Sequence, residues 1–381
     1  MGANPRTSQP RSPVNSSPEH KAAQPPRIVE GSVDDLATAL LETAPGARLF
    51  RISDANVDAL HGAALDAALQ RHGAEVHTLV IEPGEEHKSL ETVAALWASL
   101  IQLEVRREDC IVALGGGVTG DLAAFVAATI LRGIRFVQVP TTVLAMCDAA
   151  IGGKCGFNLK GKNLVGAFAA PERVLHWYPL LDTLPQREFA AGLAEVVKSA
   201  LIEGEEALVA LEEDARQLAA RDPDASRRAI LSAASTKCTI VEQDYRESGA
   251  RKLLNLGHTF AHVIETATGY GDFNHGEAVA MGMVLAARAS RQFIDTETGL
   301  ETRLRSLLET LGLPTDAPTL PADTWTTLLR RDKKRLQDDV QLILVQQPGS
   351  LVLHPTAPND LAVWLADGAP LTVTPDAATA R

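Results

Sequence analysis

The chain has 381 residues, 45% apolar and 22% charged, with a formal net charge of −12. That composition predicts a soluble globular protein of two domains. It argues against nucleic-acid binding, because the phosphate backbone repels an acidic surface. No uninterrupted run of 18 apolar residues stands ready to span a membrane.

The four cysteines, Cys110, Cys147, Cys155 and Cys238, are scattered and form no CxxC pair. This usage predicts a reducing cytoplasmic setting and excludes a disulfide framework or a cysteine zinc site. In chain order, residues 1–27 are rich in Pro, Ser and charge and read as a disordered tail. They have no apolar core of a signal peptide, and Arg6 stands where myristoylation wants Ser or Thr.

Residues 28–180 alternate short apolar runs with helical stretches. "ARLFRIS", "VHTLVIE", "DCIVAL" and "RFVQVP" read as buried strands, and "SLETVAALWASLIQL" as a helix. The alternation predicts an α/β domain with a parallel sheet, suited to binding a nucleotide. From 181 to 366 the strand signals fade and a mostly α-helical domain is expected, followed by a loose tail at 367–381. "TLPQREFAAGLAEVVKSALIEG" opens with Thr183 and Gln186 at capping-box spacing and closes at Gly204. "HGEAVAMGMVLAARASRQF" and "LETRLRSLLETLG" are further helices. The chemistry is expected in the cleft between the two domains.

"CIVALGGGVTGD" runs from a strand into a glycine turn, with Gly115, Gly117 and Gly120 at G-x-G-x-x-G spacing. Such a turn lets the backbone approach a pyrophosphate at a helix N-terminus. A tight turn with no ligand would look the same. The next strand ends "FVQVPTT", with no acid for a ribose, while Glu85 and Lys88 lie in an upstream turn, "EPGEEHKS". Any dinucleotide site here is therefore not an ordinary Rossmann one.

Four more segments place ionisable residues in apolar surroundings. "MCDAAIGGKCGFNLKGKN" carries Asp148, Lys154, Lys162 and Asn163, with two glycines before Lys154 that suggest either close backbone approach to a ligand or a glycine-rich surface loop. In "GLAEVVKSA", Glu195 and Lys198 share a helix face, as a buried pair or as a surface ion pair. In "LLNLGHTFAH", His258 and His262 lie one turn apart, as core histidines or as functional ones. In "NHGEAVAMG", His275 opens an apolar helix, whose positive end disfavours imidazolium and suits a neutral ligand or a buried cap. Together Glu195, His258 and His275 make a three-ligand set that leaves a coordination position open, as catalytic zinc requires. Lys154, Lys162, Lys198, Lys237, Arg251 and the "RRDKK" group predict a strongly anionic small substrate.

In this order and spacing the motifs resemble the 3-dehydroquinate synthase family of sugar phosphate cyclases, over roughly residues 45–355. The segments that carry it are "PGEEHKS", "ALGGGVTGDLAAF", "RGIRFVQVPTT", "DAAIGGKCGFNLKGKNLVGAF", "TLPQREFAAGLAEVVK", "LLNLGHTFAH", "HGEAVAMGM" and "RRDKK". The resemblance implies the fold expected above, a homodimer, bound NAD and one divalent zinc or cobalt ion. It implies Glu195, His258 and His275 as metal ligands. It implies Asp54, Asn56, Glu85, Lys88, Gly115, Gly116, Gly117, Val118, Asp121, Thr141, Thr142, Lys154 and Lys162 on the cofactor side. Lys154, Asn163, Asn255 and Lys333 (or Lys334) would hold the substrate phosphate, with Arg132 reaching in from the neighbouring subunit. Lys237 and Arg251 would clamp a carboxylate, and Asp148, Lys198 and His262 would surround the reacting hydroxyls.

The implied reaction converts 3-deoxy-D-arabino-heptulosonate 7-phosphate to 3-dehydroquinate and phosphate, through transient oxidation by NAD and elimination of phosphate. Cys155, Gly156 and Phe157 stand where the family commonly has Thr-Ala-Val, and Met146 and Cys147 where Gln-Val is usual; these put pocket shape in question. The rival readings are a secondary-metabolism cyclase acting on sedoheptulose 7-phosphate or an amino analogue, a metal-dependent polyol dehydrogenase, and a non-enzymatic NAD-binding regulator.

Overall fold

The computed structural model describes residues 18–159, 161–162, 164–269, 271–294, 296, 299–332 and 339–367. The chain opens with α1 (Pro18–Ala22), β1 (Arg27–Ile28), α2 (Val33–Thr43), β2 (Leu49–Asp54), the single turn α3 (Ala55–Val57), α4 (Ala63–Arg71) and β3 (Val76–Ile81). Next come α5 (Leu90–Gln102), β4 (Cys110–Gly115), α6 (Gly117–Thr129), β5 (Arg135–Pro140), β6 (Lys154–Phe157), β7 (Val165–Phe168) and β8 (Arg173–His176). Then follow α7 (Gln186–Glu203), α8 (Glu205–Ala219), α9 (Pro223–Gln243), α10 (His258–Ala267), α11 (His275–Ile294), α12 (Leu300–Thr310) and α13 (Ala322–Asp332). The chain closes with β9 (Val340–Gln347), β10 (Ser350–Thr356) and α14 (Pro358–Asp367).

Six strands form one parallel sheet in the order β1-β8-β5-β4-β2-β3. Its centre is apolar on both faces, as a parallel sheet covered by helices must be. On β4, Ile111 and Ala113 face a core with α5 and α6, while Cys110, Val112 and Leu114 face one with α2 and α4. The four strands read from sequence are all present. Ser89 caps α5 by accepting from the Thr92 N–H at 3.3 Å.

The helical half is organised around α7. From Phe189 to Leu201 every residue of α7 is buried, so the helix runs through the core with no solvated stripe. It packs against α8, α9 and α11, and α11 packs against α10. Gly204 ends α7 with a positive φ of 147°. Among the described residues no helix is long and apolar enough to cross a membrane.

Two expectations need correction, and two features add to what was expected. The Thr183–Gln186 capping box does not form: Pro185 occupies the N-cap without a side-chain cap, and the Thr183 hydroxyl donates to the Leu180 carbonyl at 3.2 Å. Pro185 carries no side-chain acceptor, so α7 begins without a side-chain cap. Strand structure does not end at 180: β9 and β10 form an antiparallel hairpin across Pro348–Gly349, tied to α11 by the Ser290 hydroxyl accepting from the Val345 N–H at 2.8 Å. Residues 18–27 are not a loose tail: Ala22 and Ala23 are buried with Val241 and Tyr245, and Lys21 pairs with Glu172 at 2.9 Å. The short strands β1 and β8 extend the sheet beyond the four read from sequence.

Candidate active site and metal centre

Two clusters of polar residues flank the turn Ala145–Ala149, which follows β5 and packs on α6, α7 and α9. The first lies at the ends of β2, β4 and β5. The chain leaves β2 towards α4 on one face of the sheet and leaves β4 towards α6 on the other. That divergence makes the crevice between β2 and β4 a topological switch point, where open α/β sheets bind ligands.

Asp54 ends β2 and accepts from the N–H groups of Asn56 and Val57, both at 3.1 Å. Thr119, in the first turn of α6, donates to the second Asp54 oxygen at 3.3 Å. An acid therefore does stand beside the glycine turn, on the strand adjacent in space rather than on the next one in sequence. Thr141 N–H donates to the Gly115 carbonyl at 3.0 Å, closing β5 onto β4, and Thr142 Oγ1 accepts from Ala145 N–H at 3.1 Å.

Gly116 caps α6, Gly117 is its first residue, and Val118 packs on the sheet core. Lys88 is buried and pairs with Asp121 at 2.6 Å, while Asn158 donates to Glu85 at 2.8 Å. Burial pushes the Asp121 carboxyl up, with Lys88 opposing it.

The second cluster is built on three helices. Glu195, mid-way along α7, lies with its Oε1 3.6 Å from His258 Nε2 and 3.4 Å from His275 Nε2. One ligand atom from each residue falls within 4.8 Å of the other two. Glu195 is 1% exposed and its Oε1 accepts no hydrogen bond. A buried carboxylate oxygen without a donor, facing two imidazole nitrogens, fits a divalent cation and is costly without one. The surface ion pair weighed for Glu195 and Lys198 is excluded, since both are 1% exposed and their charged atoms touch inside the core.

The two histidines are oriented from behind. His258 Nδ1 is 3.1 Å from the Leu256 carbonyl, and His275 Nδ1 is 3.2 Å from Glu265 Oε1. Each acceptor fixes the N–H on Nδ1 and leaves Nε2 as a ligand atom. Small residues permit the approach. A Cβ on Gly276 would lie 1.9 Å from the Ala191 carbonyl oxygen, so only glycine lets the first turn of α11 rest on α7 and bring His275 to Glu195.

The charges respond to this packing. Burial drives the His258 imidazole down to about 3. Burial also opposes charge on His275, but Glu195 and Glu265 outweigh it and raise the ring to about 9. A divalent cation would displace the proton from Nε2 and bind the neutral ring. Burial would raise Glu195, yet Lys198 holds it at about 2.

Beside the triad, Asp148 sits in a one-turn π-helix, Ala145–Ala149. Lys237 of α9 donates to its carboxylate at 2.8 Å and to its backbone carbonyl at 2.6 Å, and Lys198 is 3.7 Å away. Burial disfavours the charge, but the two ammonium groups keep Asp148 far below the usual carboxylate range. His262 stands edge-on to His258, ring centres 5.7 Å apart. The expected convergence of Asp148, Lys198, Lys237, His258 and His262 is thus present.

Other residues expected in the site have different surroundings. Arg251 is 1% exposed and donates to the carbonyls of Tyr245 (2.5 Å) and Gly152 (2.9 Å), so its guanidinium is occupied by backbone. This explains the Gly152–Gly153 pair, read from sequence as close approach to a ligand. Gly152 has φ of 95°, and a Cβ there would lie 2.4 Å from Arg251 Nη2. Lys162 pairs with Glu265 at 3.0 Å, on the metal side rather than in the sheet crevice. Arg132 is exposed with φ of 67° and makes no ion pair among the described residues. Asn163, Lys333 and Lys334 lie outside the described residues.

Glu247 and Glu265 were missed by sequence reasoning. Glu247 pairs with Lys154 and accepts from Asn255 Nδ2 at 2.7 Å, joining two residues expected to hold phosphate. The hint for Glu265 was its position seven residues after His258, on the same helix face inside an apolar run. The altered residues around Lys154 leave the site's charges untouched: Cys155 and Phe157 pack into the sheet core, and Met146 and Cys147 into the helical core.

Comparison with known proteins agrees with this geometry. Residues 78–191 match the family model "3-dehydroquinate synthase N-terminal" and residues 192–335 match "3-dehydroquinate synthase C-terminal". A 3-dehydroquinate synthase of Symbiobacterium thermophilum is 44% identical over 320 residues, covering 83% of this chain and 89% of the relative. The structure of 2-epi-5-epi-valiolone synthase from Streptomyces hygroscopicus, with NAD+ and Zn2+ bound, superposes with a TM-score of 0.82 at 27% identity, covering 96% of this chain and all of that one. A 2-deoxy-scyllo-inosose synthase complexed with carbaglucose-6-phosphate, NAD+ and Co2+ gives 0.78 at 28% identity, covering 90% and 96%. With both family models matched across the sheet and the helices that carry the triad, the chain belongs to the 3-dehydroquinate synthase family.

Proposed function

We propose that this chain converts 3-deoxy-D-arabino-heptulosonate 7-phosphate to 3-dehydroquinate and phosphate, with Glu195, His258 and His275 holding zinc or cobalt and NAD seated at the β2/β4 switch point. One observation carries the reading: a three-ligand set with an orphaned carboxylate oxygen lies directly against the Asp148–Lys198–Lys237 cluster. When bound, the nucleotide supplies a hydride acceptor and the ion a Lewis acid.

The chain's own groups then bind, orient and move protons. Asp54, Asn56, Glu85, Lys88, Asp121, Thr141, Thr142 and the Gly115–Val118 turn form the cofactor side. Lys154 and Asn255 hold the substrate phosphate, with Asn163 and Lys333 or Lys334 completing the pocket. Arg132 enters from the partner subunit of a homodimer, a role that suits an exposed, left-handed arginine with no ion pair among the described residues. Asp148, kept ionised by two lysines, accepts from a substrate hydroxyl, and His262 passes a proton beside His258. Glu247, which pairs with Lys154 and accepts from Asn255, gives up these partners when the phosphate takes its place, and the Lys154 ammonium then favours departure of the phosphate as an anion.

Lys237 and Arg251 favour a substrate carrying a carboxylate over sedoheptulose 7-phosphate, and the 44% identity to a 3-dehydroquinate synthase favours the same choice. Two of the five Arg251 N–H donors are engaged by the Tyr245 and Gly152 carbonyls, and the others would meet that carboxylate. The test is to incubate the protein with the heptulosonate phosphate and NAD, with and without a chelator. Inorganic phosphate and a carbocyclic product should appear, with no accumulated NADH because the conversion is redox-neutral. Turnover of sedoheptulose 7-phosphate alone would replace this reading with a secondary-metabolism cyclase; stoichiometric NADH would point to a dehydrogenase.

A further inference from the structure

We propose that Glu265 is a positioning residue of the metal centre: through His275 Nδ1 it fixes the ring so that Nε2 faces Glu195 and His258. The inference rests on the metal-site reading above. Glu265 lies on α10, two turns after His258, with its side chain 2% exposed. Its neighbours on that helix include Phe260, Val263 and Ile264, all buried. An ionised carboxylate in such surroundings is expensive and needs compensation.

Its Oε1 is 3.2 Å from His275 Nδ1 and 3.0 Å from Lys162 Nζ, while Oε2 is buried with no hydrogen-bond partner. The two ring nitrogens of His275 therefore face two different carboxylates. Nδ1 donates to Glu265, and Nε2 is 3.4 Å from Glu195 Oε1. The partner ligand is held differently, since His258 Nδ1 meets a neutral backbone carbonyl. An anionic acceptor makes His275 the more strongly donating imidazole and locks its tautomer. Helix α10 thus serves the centre twice, with His258 at its start and Glu265 near its end supporting the ligand on α11. Lys162 balances the charge from the turn between β6 and β7.

The alternative, a plain ion pair between Glu265 and Lys162, makes a different prediction. Zn2+ and Co2+ binding is measured by competition with a chromophoric chelator for wild type, Glu265→Gln and Lys162→Met, and the visible absorption of each Co2+ form is recorded. Glu265→Gln should weaken Zn2+ binding roughly 10- to 100-fold and shift the Co2+ bands, as loss of an outer-shell carboxylate does. Lys162→Met should stay within about threefold of wild type, with unshifted Co2+ bands, because the His275 contact remains. Equal weakening by both variants, or a Glu265→Gln protein with wild-type affinity and spectrum, overturns the proposal. Glu265→Gln is nearly isosteric, so it keeps the test valid if Glu265→Ala fails to fold. A wild-type protein that binds neither ion would instead sink the metal-site reading itself.

Discussion

The crevice at the ends of β2, β4 and β5 and the cluster among α7, α10 and α11 differ in how they satisfy polar groups. At the sheet edge, Asp54 and Thr142 accept from backbone N–H groups within a few residues, and Lys88–Asp121 and Asn158–Glu85 then join separate loops. In the helical half, Glu195 and Lys198 are buried and pair along α7, and the network then crosses elements: Glu195 to His258 and His275, Lys198 and Lys237 to Asp148, and Glu265 to Lys162. Local satisfaction confines damage to one loop. A buried network spreads it, because removing one member strands its neighbour in a low-dielectric interior.

The largest effect that would break the comparison is at the triad. His258→Ala should remove stoichiometric metal and lower turnover roughly 10³-fold or more, the several kcal/mol a Lewis acid supplies; metal content and phosphate release check it. Lys154→Ala should cut phosphate release about 10²- to 10³-fold while leaving NAD affinity within about threefold, measured by steady-state kinetics and nucleotide titration. A Lys154→Ala enzyme with normal turnover would contradict the phosphate grip.

Lys198→Met leaves Glu195 and Asp148 buried without their shared cation. It should destabilise the metal-depleted protein by about 3–5 kcal/mol, read from denaturant midpoints. His176 sharpens the contrast from the sheet side. It is 0% exposed, and burial pushes its ring down to about 4 from an ordinary 6.5. Between those values protons bind the unfolded chain only, so stability falls as pH drops below 6.5. His176→Phe should remove roughly 2 kcal/mol of the loss seen between pH 7 and pH 5. At Gly276, alanine would place its Cβ 1.9 Å from the Ala191 carbonyl oxygen and so should push α11 off α7 by about an ångström. That costs about 1–3 kcal/mol of stability and loosens metal binding; an unchanged zinc affinity would show that the close contact is not needed.

Much of the site was legible because its residues sit in locally patterned segments. The strands of the sheet announced themselves as short apolar runs, and α7, α10 and α11 through apolar periodicity and flanking glycines. The hairpin β9–β10 was readable too, from Pro348–Gly349 between two apolar runs, and was passed over. Strands β1 and β8, two and four residues long, carry too little pattern to stand out.

By itself the sequence determined the alternating sheet half, the helical half and the glycine turn after β4, whereas Glu195, His258 and His275 were singled out as ligands by the resemblance of their segments to the family. Those features depend on neighbours within one or two turns of chain, where backbone geometry is the governing constraint. Only the tertiary structure decided that Glu195 and Lys198 are buried, that Arg251 faces backbone carbonyls, and that Glu265 and Glu247 belong to the site. Each of those outcomes depends on contacts between residues far apart along the chain, and burial, not residue type, sets what a charge must find there.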